Sequence, residues 1–394
     1  MIPEQLFFLN LLSDHINRRK TTCFSESFDW NKILYYAQIH QVEGIVYYQC
    51  KNFLPDEFKI CLEDKYGSSL SIYANQEYYI RKIKSKLNAA HIECFVVKGF
   101  PVASYYPFPP LRTMGDTDLV VHLEDRQRVH EILLEQGYVN ESCSEGKEWV
   151  YFIDKYVLEL HYGLIYSEAI NSKIHEEYFF KYWDYVHNGV LDWNYHFIYL
   201  ILHLRKHLMN RGVGFRQFLD IAVITRNNIE LNWGWIEEQL VKLNLVEFSR
   251  TVFALNESWF DVMSPIQIRD LDIPFFDLAT EQIFKNGVFG LDNYDNKDNF
   301  TVNNVRKSNH SKFSMFVSAV HLVFPDYSSL ITDPKYSFIK GKKWLLPFAW
   351  IYRIIRGSKK DHLSRNVSTV KSAFVSKETI NKREEYLKQW GLIE

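Results

Sequence analysis

The sequence predicts an α+β fold in which one small sheet occupies residues 92–165 and helices fill the chain on either side. Two observations predict it. Short apolar runs cluster in that interval, at 92–97, 119–121, 149–153 and 156–164, separated by Gly, Pro and Asp. Everywhere else the apolar residues recur at helical spacing. A third observation says where the chemistry belongs: Asp116-Thr117-Asp118 opens one of the apolar runs. Side chains alternate along a strand, so the two carboxylates point the same way from its edge.

Taken in order, residues 1–20 and 29–50 read as helices. Asp29 caps the second, and Trp30, Ile33, Leu34 and Ala37 form its stripe. Pro55-Asp56 starts a long helix carrying Phe58, Leu62, Tyr66, Leu70, Tyr73, Ile80, Ile83 and Leu87, with Gly67 as a site for a kink. This N-terminal part serves substrate recognition or packing, and packing is the reading we prefer. Residues 92–98 form the first strand. Gly99 permits a tight turn and close approach of a ligand to the backbone. A short helix over 100–106 and an extended linker at Pro107, Pro109 and Pro110 follow. Arg112 can meet a phosphate or pair with a carboxylate.

Beyond the Asp pair, 124–136 is an amphipathic helix ended by Gly137, and 149–164 is a hairpin turning at Asp154-Lys155. Glu159 and His161 share one face of its second strand. Glu159 offers a third carboxylate, and His161 is either part of the site or a hydrogen-bonded structural imidazole. Residues 168–262 read as helical. His203 and His207 lie one turn apart, and Arg216 and Asp220 have i,i+4 spacing on the next helix, beyond Gly212 and Gly214. Either at least one of His203, His207 and Asp220 borders the nucleotide cleft, or the four residues only tie the two helices together. Asn232 caps a helix over 233–242. An Asn/Asp-rich loop near 287–311, a helix over 312–323 and a terminal helix over 378–390 complete the chain. The stretch 342–357 sets Trp, Phe and Tyr among apolar residues between basic flanks, either as a core segment or as a weak membrane-surface contact. The expected division is 1–90, 91–166, 167–262 and 263–394.

Composition narrows the function. A net charge of −2 gives no strong nucleic-acid signal. Five scattered cysteines without a C-x-x-C pair exclude a disulfide framework and a zinc site of that type, and fit a reducing, cytoplasmic setting. No G-x-x-x-x-G-K-[ST] loop is present. Two carboxylates close together repel, and the hard oxygen pair at Asp116 and Asp118 suits Mg²⁺, the ion of phosphoryl chemistry.

The ordered set Val97-Lys98-Gly99, Arg112, Gly115-Asp116-Thr117-Asp118-Leu119-Val120-Val121 and Leu158-Glu159-Leu160-His161 resembles a group of bacterial nucleotidyltransferases in the wider DNA polymerase β-like superfamily. His203, His207, the FRQFLDIA stretch around Asp220, and the segments FPDYSSL and WLLPFAWIYRIIRG match as well, so the resemblance covers nearly the whole chain. It implies a small mixed sheet as nucleotidyltransferase core. It also implies two Mg²⁺ ions held by Asp116, Asp118 and Glu159, and an NTP contacted by Lys98, Gly99, Arg112 and His161. The acceptor would be a hydroxyl-bearing small molecule or macromolecule. The usual Gly-Ser turn of the superfamily is replaced here by Lys98-Gly99-Phe100. A non-catalytic scaffold and a toxin-like enzyme modifying tRNA are the alternative readings.

Overall fold

The computed structural model describes residues 1–22, 27–142, 148–165, 173–210, 212–227, 230–288, 324, 326–327, 330, 334–357 and 377–393. Apart from its first two residues, the expected loop at 287–311 lies outside them, as does the expected helix at 312–323.

The chain opens with α1 (Pro3–Ile16), α2 (Trp30–His40), α3 (Glu43–Cys50) and the 34-residue α4 (Asp56–Ala89). Asp29 caps α2 by accepting from the Asn31 N–H. The single helix expected over 29–50 is two, because Gln41 takes a left-handed φ of 55° and ends the first. Helix α4 runs through Gly67 as one element. Its start suits Pro55 just before the first turn and Asp56 and Glu57 within it, where carboxylates meet the positive end of the helix dipole.

The sheet follows. Its strands are β1 (Cys94–Val97), β2 (Thr117–Val121), β3 (Val139–Ser142), β4 (Trp149–Ile153) and β5 (Tyr156–His161), in the order β1-β2-β5-β4-β3. It is mixed: β2 and β5 pair in parallel, and all other pairs are antiparallel. Short α5 (Gly99–Ala103) follows β1, and α6 (Arg126–Glu135) follows β2. The proline linker is not fully extended, since Pro109–Leu111 closes a 3-10 turn that proline's fixed φ accommodates at its start. The sequence reading missed β3. It is an edge strand reading Val-Asn-Glu-Ser, which buries too little to show apolar alternation.

One face of the sheet packs under α4 and α6. There Leu119, Val121, Leu158 and Leu160 meet Ile80, Ile83, Leu87, Val129 and Leu133. The opposite face presents Phe95, Val97 and Val120 to the main core. Alternation puts Asp118, Glu159 and His161 on that second face.

After the sheet come α7 (Lys173–Phe180), the ribbon β6–β7 (Val186–His187 and Val190–Leu191), and α8 (Trp193–Asn210). The ribbon was not expected, although its signal was present. Asn188-Gly189 has φ of 54° and 69°, the residue pair and backbone that a two-residue hairpin favours. Helices α9 (Phe215–Asn227), α10 (Trp233–Lys242), α11 (Val246–Phe260) and α12 (Ile273–Asn286) follow, then α13 (Leu346–Gly357) and α14 (Lys377–Gln389). The Asn232 cap accepts from the Trp235 N–H as expected. The main core draws on α1 through α3, α7 through α12, and Tyr386, Leu387 and Trp390 at the far end of the chain. No helix among the described residues is long and apolar enough to cross a membrane.

Candidate active site

The site is assembled where β1, β2 and β5 lie side by side. Register sets Val97 opposite Asp118, and Asp118 opposite Glu159. Parallel pairing of β2 and β5 thus makes neighbours of two carboxylates 41 positions apart in the chain (159 − 118). Asp118 is buried, with 4% of its surface exposed, so its charge requires partners. It has two. Lys98 Nζ lies 2.6 Å from Asp118 Oδ1, and His161 Nε2 lies 3.0 Å from the same oxygen. His161 Nε2 is also 3.3 Å from Glu159 Oε2. One ligand atom each of Asp118, Glu159 and His161 falls within 4.8 Å of the others.

The electrostatics follow from this packing. Burial works against the Asp118 charge, but Lys98 and His161 outweigh it and hold the carboxyl far below its usual range. Burial likewise opposes the charges of Lys98 and His161. Asp118 overcomes it for Lys98, and hydrogen bonds to Asp118 and Glu159 overcome it for His161, so both are raised. Asp116 stands just before β2 and outside the close cluster. Withdrawal of its carboxyl from water, then the charges of Asp118 and Glu159, push it up to about 6. The residue as a whole remains exposed at the rim of the site.

Lys98 is held from several sides. Its backbone has φ 58° and ψ −120°, a conformation L-residues rarely adopt and one that clusters at functional sites. The residue with positive φ at this turn is thus Lys98 and not its neighbouring glycine. The Lys98 N–H donates to His196 Nε2 at 3.0 Å, and the ammonium lies 5.9 Å from the centre of the Tyr199 ring. Burial, then the Lys98 charge, lowers His196 to about 3, which keeps the imidazole neutral and able to accept. His196 and Tyr199 escaped the sequence reading. Their signal was the i, i+3, i+7 spacing of His196, Tyr199 and His203 on an otherwise apolar helix. His203 joins this face: burial, then Lys98 and His207, hold it well below its ordinary value, and its Nε2 is 3.1 Å from that of His207.

The arginines differ from expectation. Arg216 and Asp220 form no i,i+4 pair, because Arg112 occupies both oxygens of Asp220, with Nε at 2.8 Å and Nη2 at 2.7 Å. Tyr106 donates to the same carboxylate at 2.9 Å. Of the two roles open to Arg112, the structure shows the carboxylate pairing for these two nitrogens. Among the described residues, Arg112 Nη1 has only the weak acceptor Met114 Sδ at 3.9 Å. It lies over Gly99, where a Cβ would come within 3.5 Å of it and 3.8 Å of the Asp116 carbonyl oxygen. A groove of about 710 Å³ runs along α4, lined by Ser68, Ser71, Asn75 and Gln76, and reaches Gly115, the residue before Asp116.

The family described as "Uncharacterised nucleotidyltransferase" matches residues 26–261, more than half of the chain. No curated protein matches, and no solved structure does.

Proposed function

We propose, from the premise that this chain belongs to the family of uncharacterised nucleotidyltransferases, that it moves an NMP from an NTP to a hydroxyl-bearing acceptor with Mg²⁺. One observation carries the reading. Asp118, Glu159 and His161 converge on adjacent parallel strands, with Lys98 against them. The donor set fits a hard divalent cation. Two carboxylates and an imidazole lie within 4.8 Å of one another, and a third carboxylate, Asp116, stands just before β2. Asp118 and Glu159 would hold the metal, His161 would ligate it or orient Glu159, and Asp116 would add its carboxylate from the rim, enough for two ions. When bound, the metal supplies charge neutralisation at the phosphates and lowers the pKa of the acceptor hydroxyl.

The remaining work falls to the chain's own side chains. Lys98, and Nη1 of Arg112 across Gly99, are the cations offered to the phosphates. His196 fixes the Lys98 backbone, and Tyr199 faces its ammonium. In the transfer, the acceptor oxygen bonds to the α-phosphorus and the bond to the bridging oxygen breaks. Pyrophosphate leaves, and a carboxylate of the site or solvent takes the hydroxyl proton. The groove ending at Gly115 gives the acceptor an approach to Asp116. Such a core fits the polymerase β-like arrangement that the motifs resemble.

The test is incubation with each α-labelled NTP, Mg²⁺ and a cell extract. We expect a labelled product with the wild type, and none with EDTA or with Asp118→Asn. Equal labelling by wild type and Asp118→Asn would discard the reading, and failure of the wild type to bind any Mg–NTP would favour a scaffold.

A further inference from the structure

The side chain of Arg216 has no place in the site described above, and its surroundings do not satisfy it. Arg216, on α9, is half-buried, yet it makes no ion pair with any described residue. Its Nη1 donates to Gln41 Oε1 and, at 3.1 Å, to the Thr113 carbonyl, both neutral acceptors. Its Nε is buried without a hydrogen-bond partner among the described residues. Three carboxylates act on it or stand in its field. Asp220 is engaged by Arg112, Asp116 belongs to the site, and Glu43 makes no ion-pair contact with it. Burial, then the neighbouring Arg112 charge, lowers Arg216 to about 10. Burying a guanidinium beside a second one, with a single carboxylate paired between them, costs stability. Folding alone does not call for it, since a neutral side chain could make the bonds to Gln41 and Thr113.

The location gives the purpose. Thr113 lies three residues before Asp116, and a Cβ on Gly99 would touch both Arg112 Nη1, at 3.5 Å, and the Asp116 carbonyl oxygen, at 3.8 Å. Two guanidinium groups, each with a nitrogen lacking a strong acceptor, thus flank the segment 113–116. Planar forks of this kind match phosphate oxygens. We propose that Arg216, together with Nη1 of Arg112, forms a subsite for the β- and γ-phosphates of the nucleoside triphosphate at the Asp116 end of the site. The inference rests on the nucleotidyl-transfer reading and says which part of the donor this end of the site holds. The polyphosphate would supply the counter-charge that Arg216 lacks among the described residues, and the leaving pyrophosphate would remain bound there until release.

The test measures binding of inorganic tripolyphosphate, of ATP and of AMP by calorimetry, and of Mn²⁺ alone by electron paramagnetic resonance. Arg216→Gln should weaken tripolyphosphate and ATP by about tenfold or more, the scale of one charge-assisted contact. AMP and Mn²⁺ affinity should stay within about twofold, so loss of the metal site is read separately from loss of the anion subsite. Arg216→Lys, which keeps the charge without the fork, should fall between. Tripolyphosphate binding unchanged in Arg216→Gln would overturn the proposal. Should that variant not fold, crystals of the wild type soaked in tungstate decide: the anion within hydrogen-bond distance of Arg216 supports the subsite, and its absence there overturns it.

Discussion

At the scale of single residues, the site is a contest between like charges and the cations placed against them. Asp118 is settled by Lys98 and His161, whereas Asp116 carries the unrelieved part of the repulsion. A carboxyl raised in the folded protein binds its proton more tightly there than in the unfolded chain. Its ionisation therefore costs stability above about pH 6, and the cost vanishes below the ordinary value of 3.8, where both states are protonated. Asp116→Asn, which cannot ionise, should accordingly raise Tm at pH 7.5 in EDTA. The gain should shrink as pH falls through 6 and disappear below 3.8. A scan of Tm against pH checks this, and a lower Tm at pH 7.5 would refute it. The same substitution should weaken Mn²⁺ binding, so stability and function pull opposite ways at this position.

Elements succeed or fail as units, and the pair Arg112–Asp220 shows what joins them. It ties the segment between α5 and β2 to α9, with both partners below 10% exposure and Tyr106 completing the carboxylate. Asp220→Asn leaves Arg112 buried without its counter-charge and should cost about 3–5 kcal/mol in urea unfolding. The double variant Arg112→Met, Asp220→Asn should recover much of that loss, because the stranded charge is gone. Additive losses would contradict the assignment. At this scale the sequence was readable wherever an element buries one regular face. Strands β1, β2, β4 and β5 and helices α4, α6 and α10 followed from period and caps. The edge strand β3 and the break between α2 and α3 did not, since neither is announced by an apolar pattern.

For the whole molecule, the main core links both ends of the chain. Phe7 and Phe8 of α1 and Leu387 and Trp390 at the end of α14 belong to one cluster with the helices that support the site. Trp390 is fully buried against Phe218, Phe248 and Phe275, and the turn after it brings Gly391, at φ +68°, so close to α11 that a Cβ would meet the Glu247 carbonyl carbon at 2.7 Å. Trp390→Ala should cost about 3–5 kcal/mol through the lost burial and the cavity left behind. Since Phe218 lies on α9 with Arg216 and Asp220, the loss should be read by urea unfolding and by the affinity for tripolyphosphate together. An unchanged unfolding midpoint would show that this end of the chain does not share the core.

The sequence by itself determined that Glu159 and His161 share a face of one strand, because alternation along a strand is a local property. Asp116 lies before β2, where alternation does not reach, so its place beside Asp118 was an expectation that strand period alone does not fix. The sequence also determined the sheet interval, most of the helices and the family resemblance by the same local logic. The tertiary structure decided which cation meets which anion. Lys98 finds His196 at a separation of 98 residues, and Arg112 finds Asp220 at 108, displacing the i,i+4 partner that lay closer in sequence. No period or spacing encodes such pairings. They depend on the parallel register of β2 with β5 and on how α8 and α9 pack across the sheet, and only the folded chain fixes those.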